Sequence, residues 1–261
     1  MDTAKLIAFA LELAKAARAQ TLARWESGCP AENKATDGFD PVTEADRAAE
    51  QVMRELIAEH FPDHGVTGEE WPDHQPNSER VWSLDPIDGT RSFICGLPTW
   101  VTLIAFLDKG APAIGLIDAP CLDETYIGYE GRASMWRENE RKPIHASSCS
   151  RLAEARISTT DPFLFDEHAR EVFDRLRRGA RTVRYGFDGY AYARLAAGHI
   201  DLVVEGGLKP HDYNALIPLV SAAGGVIGDW RGGGNFNDGN VIAAATPALF
   251  AEAVAYFDAL A

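Results

Sequence analysis

The sequence predicts an α/β protein of layered helices and sheets, and three observations carry that expectation. Helical and strand-like patterns alternate through both halves of the chain. Between residues 99 and 137 the apolar runs break at turn residues, as hairpins of an antiparallel sheet require. The 261 residues are 46% hydrophobic and 25% charged, a globular balance that excludes wholesale disorder, a collagen-like repeat and a coiled coil. A chain of this length buries about three quarters of its unfolded surface.

Each element has a local cause. From Thr3 to about Trp25, Leu6, Phe9, Ala10, Leu13, Ala16 and Ala17 recur at helical spacing, and Gly28-Cys29-Pro30 stops the run. Lys34 to Pro41 reads as a polar loop. A second helix starts near Thr43, with Thr43 as N-cap and Asp46 at the third helical position, a variant capping box. Val52, Leu56 and Ile57 continue its apolar stripe and Pro62 ends it. Val66-Thr67-Gly68-Glu69-Glu70 reads as a short strand entering an acidic turn, and Val81 to Leu84 as a strand ending at Asp85. Four strands follow up to Arg137, separated at Lys109-Gly110, Pro120 and Glu130-Gly131-Arg132.

The second half opens after Pro143. Strands are expected at 156–160 and 182–185, around a helix from about Phe165 to Arg178. A helix at 188–197, a strand at 200–205 and a helix at 212–223, ended by Gly224-Gly225, come next. Strands at 226–230 and 241–245 and an amphipathic helix from Pro247 complete the pattern. With no internal repeat and no low-complexity linker, the expectation is one domain of two tightly packed lobes, about 1–143 and 144–261.

Lys plus Arg number 25 and Asp plus Glu 39, a net charge of −14. That disfavours nucleic acid and anionic membranes as partners, because both need a cationic face. No apolar run reaches the ~18 to 20 residues of a membrane span. The N-terminal residues lack the basic and apolar regions of a secretory signal. Cys29, Cys95, Cys121 and Cys149 form no CxxC pair, so free thiols in a reducing, cytoplasmic setting are expected.

The informative residues are acidic. Asp46 stands at a helix start, Glu69-Glu70 follows a strand, Asp85-Pro86-Ile87-Asp88-Gly89-Thr90 follows another, and Asp212 opens a later helix. Carboxylates are hard donors suited to Mg²⁺, Mn²⁺ or Ca²⁺. Pro86 fixes one torsion of the turn between Asp85 and Asp88, so both side chains can converge. Gly89-Thr90, opening a short helix, offers backbone N–H groups and a hydroxyl to a phosphate oxygen. Taken singly, Asp46 is explained as a helix cap, Asp212 as a dipole partner and Glu69-Glu70 as a solvated turn. Asp85 and Asp88 have fewer bland explanations, since adjacent carboxylates repel unless a cation lies between them.

Asp40-Pro41-Val42-Thr43-Glu44-Ala45-Asp46, Gly68-Glu69-Glu70, Trp82-Ser83-Leu84-Asp85-Pro86-Ile87-Asp88-Gly89-Thr90 and Lys209-Pro210-His211-Asp212, followed by Ala222-Ala223-Gly224-Gly225, resemble the ordered motifs of the inositol monophosphatase superfamily. The resemblance runs from about Lys34 to Trp230. It implies an αβαβα layered sandwich of the inositol monophosphatase and fructose-1,6-bisphosphatase type, Mg²⁺ dependence, lithium sensitivity and a homodimer. Carried over, it implies one Mg²⁺ on Glu69, Asp85 and the Ile87 carbonyl, and a second on Asp85, Asp88 and Asp212. A weaker third ion would sit near Glu69. Gly89 and Thr90 would contact the phosphate, and Thr90, Asp46 and Glu69 would orient the attacking water. Hydrolysis would be direct and in line, with no phosphoenzyme, because no nucleophile–base motif is recognisable.

Arg91-Ser92-Phe93-Ile94-Cys95-Gly96-Leu97-Pro98-Thr99-Trp100 and Leu208-Lys209-Pro210-His211-Asp212-Tyr213 are similar to the histidinol-phosphate phosphatase branch of that superfamily. Inositol-type members more often carry Thr-Asn-Phe and Trp-Asp-Val-Ala there. Histidinol phosphate bears an ammonium and an imidazole, which a partly desolvated carboxylate would recognise. Asp188 and Glu205 are the candidates, with a helix N-cap as the plainer account of Asp188. Arg91 is open to a partner among the metal-site acids or across a dimer interface. The alternatives are an inositol-1-monophosphatase, a broad sugar or nucleotide phosphatase, and a non-catalytic metal-dependent binding module.

Other residues receive plain readings. His60, His64 and His74 are expected to be solvated, and His211 is set aside as a poor fit to a hard-oxygen site. Trp25, Trp82, Trp100, Trp136 and Trp230 are expected in the core or at an interface, Tyr190 and Tyr192 as packing residues, and Gly232-Gly233-Gly234 as a mobile turn.

Overall fold

The computed structural model describes residues 2–28, 30–33, 41–138 and 140–259. Cys29 and residues 34–40 of the expected polar loop lie outside them. Helix α1 (Thr3–Ser27) is followed by the short strands β1 (Ala31–Asn33) and β2 (Pro41–Thr43) and by α2 (Glu44–His60). Strands β3 (Gly65–Gly68) and β4 (Arg80–Asp88) lead through the short α3 (Thr90–Ile94) into a meander. Its strands are β5 (Val101–Asp108), β6 (Ala111–Ala119), β7 (Glu124–Tyr129), β8 (Arg132–Arg137) and β9 (Glu140–Pro143). β3 to β9 form one sheet in sequence order, parallel only between β3 and β4.

The second half contains β10 (Arg156–Thr159), α4 (Glu167–Gly179), β11 (Thr182–Tyr185), α5 (Asp188–Ala196) and β12 (Leu202–Glu205). Then come α6 (Pro210–Tyr213), α7 (Leu216–Ala222), β13 (Val226–Gly228), β14 (Val241–Ala244) and α8 (Pro247–Asp258). These strands make a five-stranded mixed sheet in the order β11-β10-β12-β14-β13.

Strand alternation sets the layers. On β5, Ile104 and Phe106 face a core shared with Leu13 of α1 and Met53 of α2. Val101, Leu103 and Ala105 face the opposite way, against Leu195 of α5, Leu219 of α7 and Val203 of β12. The far face of the small sheet, Ile157, Val204 and Ile242, packs on Phe173 of α4 and Leu249 of α8. The order is therefore helix, sheet, helix, sheet, helix, the expected αβαβα sandwich. Each large apolar side chain taken fully out of water in these layers contributes about 1.5–3 kcal/mol.

Several local expectations need correction. The helix expected at 212–223 is two pieces, because Pro218 has no N–H to give the Asn214 carbonyl and its ring crowds that position. The strand expected to end at Asp85 continues to Asp88 through a register shift. His64 is buried rather than solvated, and its Nδ1 accepts the Trp82 indole N–H at 3.1 Å. The glycine turn after Trp230 is organised by Asp229, whose carboxylate accepts the N–H groups of Arg231, Gly233 and Asn235.

Candidate active site

The site begins as a fault in a strand. β4 pairs with β5 in register up to Asp85 opposite Leu103, then resumes at Asp88 opposite Val101. Pro86 cannot donate to the ladder, so the strand bulges there. The bulge is held on both sides: Thr102 Oγ1 donates to the Pro86 carbonyl at 2.8 Å, and the Ile87 N–H donates to Asp85 Oδ1 at 3.1 Å. The Ile87 side chain is buried against Ala45, Phe93 and Trp100, while its carbonyl accepts the Thr90 hydroxyl at 3.1 Å. Gly89, at φ 89°, turns the chain into α3, which starts at Thr90.

Four other segments converge on this fault. Asp212, in the first turn of α6, accepts the Lys209 N–H on Oδ2 at 2.6 Å. One carboxylate oxygen from each of Asp85, Asp88 and Asp212 lies within 4.8 Å of the others. Asp88 also accepts the N–H of Gly189, the second residue of α5. A Cβ at Gly189 would stand 2.5 Å from that carboxylate, so only glycine permits the approach. Glu69 enters from the turn after β3, and its carboxylate, Asp85 and a ring nitrogen of His211 form a second group within 4.8 Å. Asp46 completes the capping box of α2: Oδ2 accepts the Thr43 N–H at 2.7 Å and its hydroxyl at 2.6 Å. The other oxygen, Oδ1, is buried and has no hydrogen-bond partner.

Glu50 positions the acidic turn, and sequence reasoning overlooked it. It is fully buried on α2, one turn from Asp46 and on the same face. Its carboxylate accepts the N–H groups of Glu70 at 2.8 Å and Trp71 at 3.3 Å, and the Arg54 Nε at 2.7 Å. Gly68 makes room for it, since a Cβ there would lie 2.3 Å from Glu50 Oε1. The legible signals were the Glu50–Arg54 pair at i,i+4 and the spacing from Asp46.

The electrostatics follow from crowding. Loss of hydration raises Asp85 well above the usual carboxylate range, and Glu69, Asp88, Asp212 and Asp46 raise it further. Asp88 is raised in the same way, by burial first and then by Asp188 and Asp212. Burial also raises Asp212, against the pull of His211. Asp46 is pushed up to about 6 by burial, against the hydrogen bonds from Thr43. Converging oxygens that repel one another at close range suit a hard divalent cation. His211, which the sequence reading set aside, stands beside them.

A cavity of about 180 Å³ adjoins the cluster, and Asp88, Asp212, Thr160, Asp188, Tyr192 and Glu205 are among the residues that line it. Asp188 is not the N-cap of α5; Phe187 is, and Asp188 is the first helical residue, at φ 45°. Its carboxylate reaches to 3.0 Å from where a Cβ on Gly89 would stand. Burial raises Asp188 to about 6, while Arg91 draws it down. Glu205 accepts the Thr160 N–H at 2.7 Å and its hydroxyl at 2.9 Å. Burial pushes Glu205 up to about 8 against those bonds.

The model of the inositol monophosphatase family matches residues 2–260. A chloroplastic bifunctional phosphatase of Arabidopsis thaliana is 46% identical over 75% of this chain, which spans 56% of that protein's length. A histidinol-phosphatase of Chlorobaculum parvum is 36% identical over 80% of both chains. Among solved structures, an inositol monophosphatase from Zymomonas mobilis matches with a TM-score of 0.87 and 37% identity, over 99% of both chains.

Proposed function

This chain belongs to the inositol monophosphatase family and is a metal-dependent phosphatase; within that family we propose that it hydrolyses L-histidinol phosphate to L-histidinol and phosphate. The observation that supports the reading is that two further acids share the cavity with the oxygen cluster: Asp188 and Glu205 line it together with Asp88 and Asp212. A phosphate held with its cations needs no further acid, but an ammonium or imidazolium on the leaving group does.

In this reading Asp85, Asp88 and Asp212 would hold one Mg²⁺, and Glu69, Asp85 and the Ile87 carbonyl another, with a third near Glu69. Bound Mg²⁺ screens the phosphate charge, acidifies water and stabilises the departing alkoxide. The chain's own groups do the rest. The backbone N–H groups at Gly89 and Thr90 receive the phosphate. Glu69, Thr90 and Asp46 orient the incoming water, and the unpartnered Asp46 Oδ1 offers an acceptor for one of its protons. Attack is direct and in line. A phosphoryl-enzyme trapped by rapid quench would remove that step.

The deciding experiment measures phosphate release in Mg²⁺ from histidinol phosphate and from inositol 1-phosphate. The expected result is a kcat/KM at least about tenfold higher for histidinol phosphate, roughly the value of one charge-assisted contact. Equal or reversed preference rejects the reading in favour of inositol 1-phosphate, which the likeness to the Zymomonas mobilis inositol monophosphatase supports as the second candidate. A homodimer in the cytoplasm accompanies the proposal; sedimentation velocity tests the dimer.

A further inference from the structure

Tyr192 lies just past the first turn of α5 and is 1% exposed. Its ring packs in the core between the two sheets, as expected of a packing residue. Its hydroxyl does not fit that role, because it is buried and has no hydrogen-bond partner. Native structures rarely tolerate such a group without a reason. Two neighbouring phenols show the ordinary solution: Tyr126 and Tyr190 both donate to Glu124 Oε2, at 2.6 and 3.0 Å. Tyr192 differs in its surroundings. It lines the 180 Å³ cavity with Asp188, Glu205, Asp88 and Asp212. A phenol is neutral at pH 7, so Tyr192 brings an uncharged oxygen to a cavity that carboxyl groups also line.

We propose that the Tyr192 hydroxyl is a specificity contact, accepting a hydrogen bond from an N–H of the substrate's cationic head while the Asp188 carboxylate balances its charge. An ammonium offers donors only, so a neutral acceptor set between carboxylates completes its coordination without adding another negative charge. The proposal rests on the reading that the leaving group is cationic.

The test is Tyr192→Phe, which keeps the ring and removes one oxygen. Kinetics in Mg²⁺ are measured on histidinol phosphate and on p-nitrophenyl phosphate, which has no cationic head, together with the thermal midpoint of the metal-free protein. KM for histidinol phosphate should rise about tenfold, the size of one hydrogen bond to a charged group. KM for p-nitrophenyl phosphate should stay unchanged, and the midpoint should stay level or rise, because no internal bond is lost. Tyr190→Phe is the matched control: it breaks the bond to Glu124 and should lower the midpoint without the substrate-selective effect. If wild type prefers histidinol phosphate and Tyr192→Phe keeps its KM, the hydroxyl is not a contact. A lowered midpoint with equal losses on both substrates assigns it to packing. If wild type shows no preference for the cationic ester, the substrate reading fails and this proposal falls with it.

Discussion

Asp201 and Asp85 are equally buried, each 1% exposed, yet the chain treats them oppositely. Asp201, just before β12, receives the Arg156 side chain through two bonds of 2.7 Å, the Arg156 N–H at 2.8 Å and the Ser147 hydroxyl at 2.5 Å. Burial alone would raise it, but Arg156 and Ser147 hold it below the usual range. Asp85 receives the Ile87 N–H at 3.1 Å and is surrounded by Glu69, Asp88, Asp212 and Asp46, all of which raise it. One buried acid is neutralised by Arg156; the other is ringed by acids, the setting in which the proposed ion would supply the positive charge. Burial marks neither as functional. The sign of what surrounds each one does.

Neutralising each acid should break that contrast in opposite directions. Asp85→Asn is expected to lower kcat/KM at least about 10³-fold, given the several kcal/mol that metal ions supply at about 1.4 kcal/mol per tenfold. It should leave the metal-free midpoint unchanged or higher, because repulsion is relieved. Mg²⁺ should raise the midpoint of wild type and not of this variant, by linkage to binding. Normal turnover in Asp85→Asn would end the proposed ion site. Asp201→Asn should show the reverse, with near-normal kcat and a loss of about 1–2 kcal/mol in denaturant unfolding. That figure is reduced from the value for a buried pair because Arg156 is 39% exposed.

Glu50→Gln sharpens the comparison at one remove. It keeps the shape but weakens the acceptor that holds the N–H groups of Glu70 and Trp71 and pairs with Arg54. A fall of about tenfold in kcat/KM, with a higher Mg²⁺ concentration for half-maximal rate, is expected if the turn carries an ion ligand. A loss of stability with unchanged Mg²⁺ dependence would make Glu50 purely structural.

The smallest effect is on pH. In the metal-free protein Asp46 and Asp188 are raised to about 6 and Glu205 to about 8, each by burial first. A raised acid holds its proton more tightly folded than unfolded, so stability falls as pH climbs from roughly 4 towards 8. The midpoint in EDTA should therefore fall between pH 5 and pH 8. Saturating Mg²⁺ should flatten the slope. A midpoint that rises over that range in EDTA would contradict these assignments.

The acidic stretches were legible because each sits at a marked boundary. Thr43 and Asp46 spell a capping box, and the structure forms it; Pro86 announces the break that swings Asp88 round beside Asp85. The nearly unbroken apolar run of β5 likewise announces a strand buried on both faces and hence two cores. What stayed hidden was interaction between distant segments. Glu50 looks like any exposed helix acid until Gly68 brings the turn onto it. Tyr192 looks like core because its ring is core; only the position of one oxygen separates it from Tyr190. The short strands β1, β2 and β9 carry three or four residues each, too few to display a period.

The bulge at Pro86 has one last implication, for how such a protein can diversify. Asp85 and Asp88 are fixed by the hydrogen-bonded interior of the large sheet, whereas Asp188, Tyr192 and Glu205 come from the other half of the chain. Drift or deliberate grafting around Asp188, Tyr192 and Glu205 that spares Gly189, whose N–H holds Asp88, would therefore leave the backbone positions of Asp85 and Asp88 in place. In the proposed reading, a lineage that keeps the seam, Gly189 and Asp212 and rewrites the other lining residues would keep its ion site while changing its substrate.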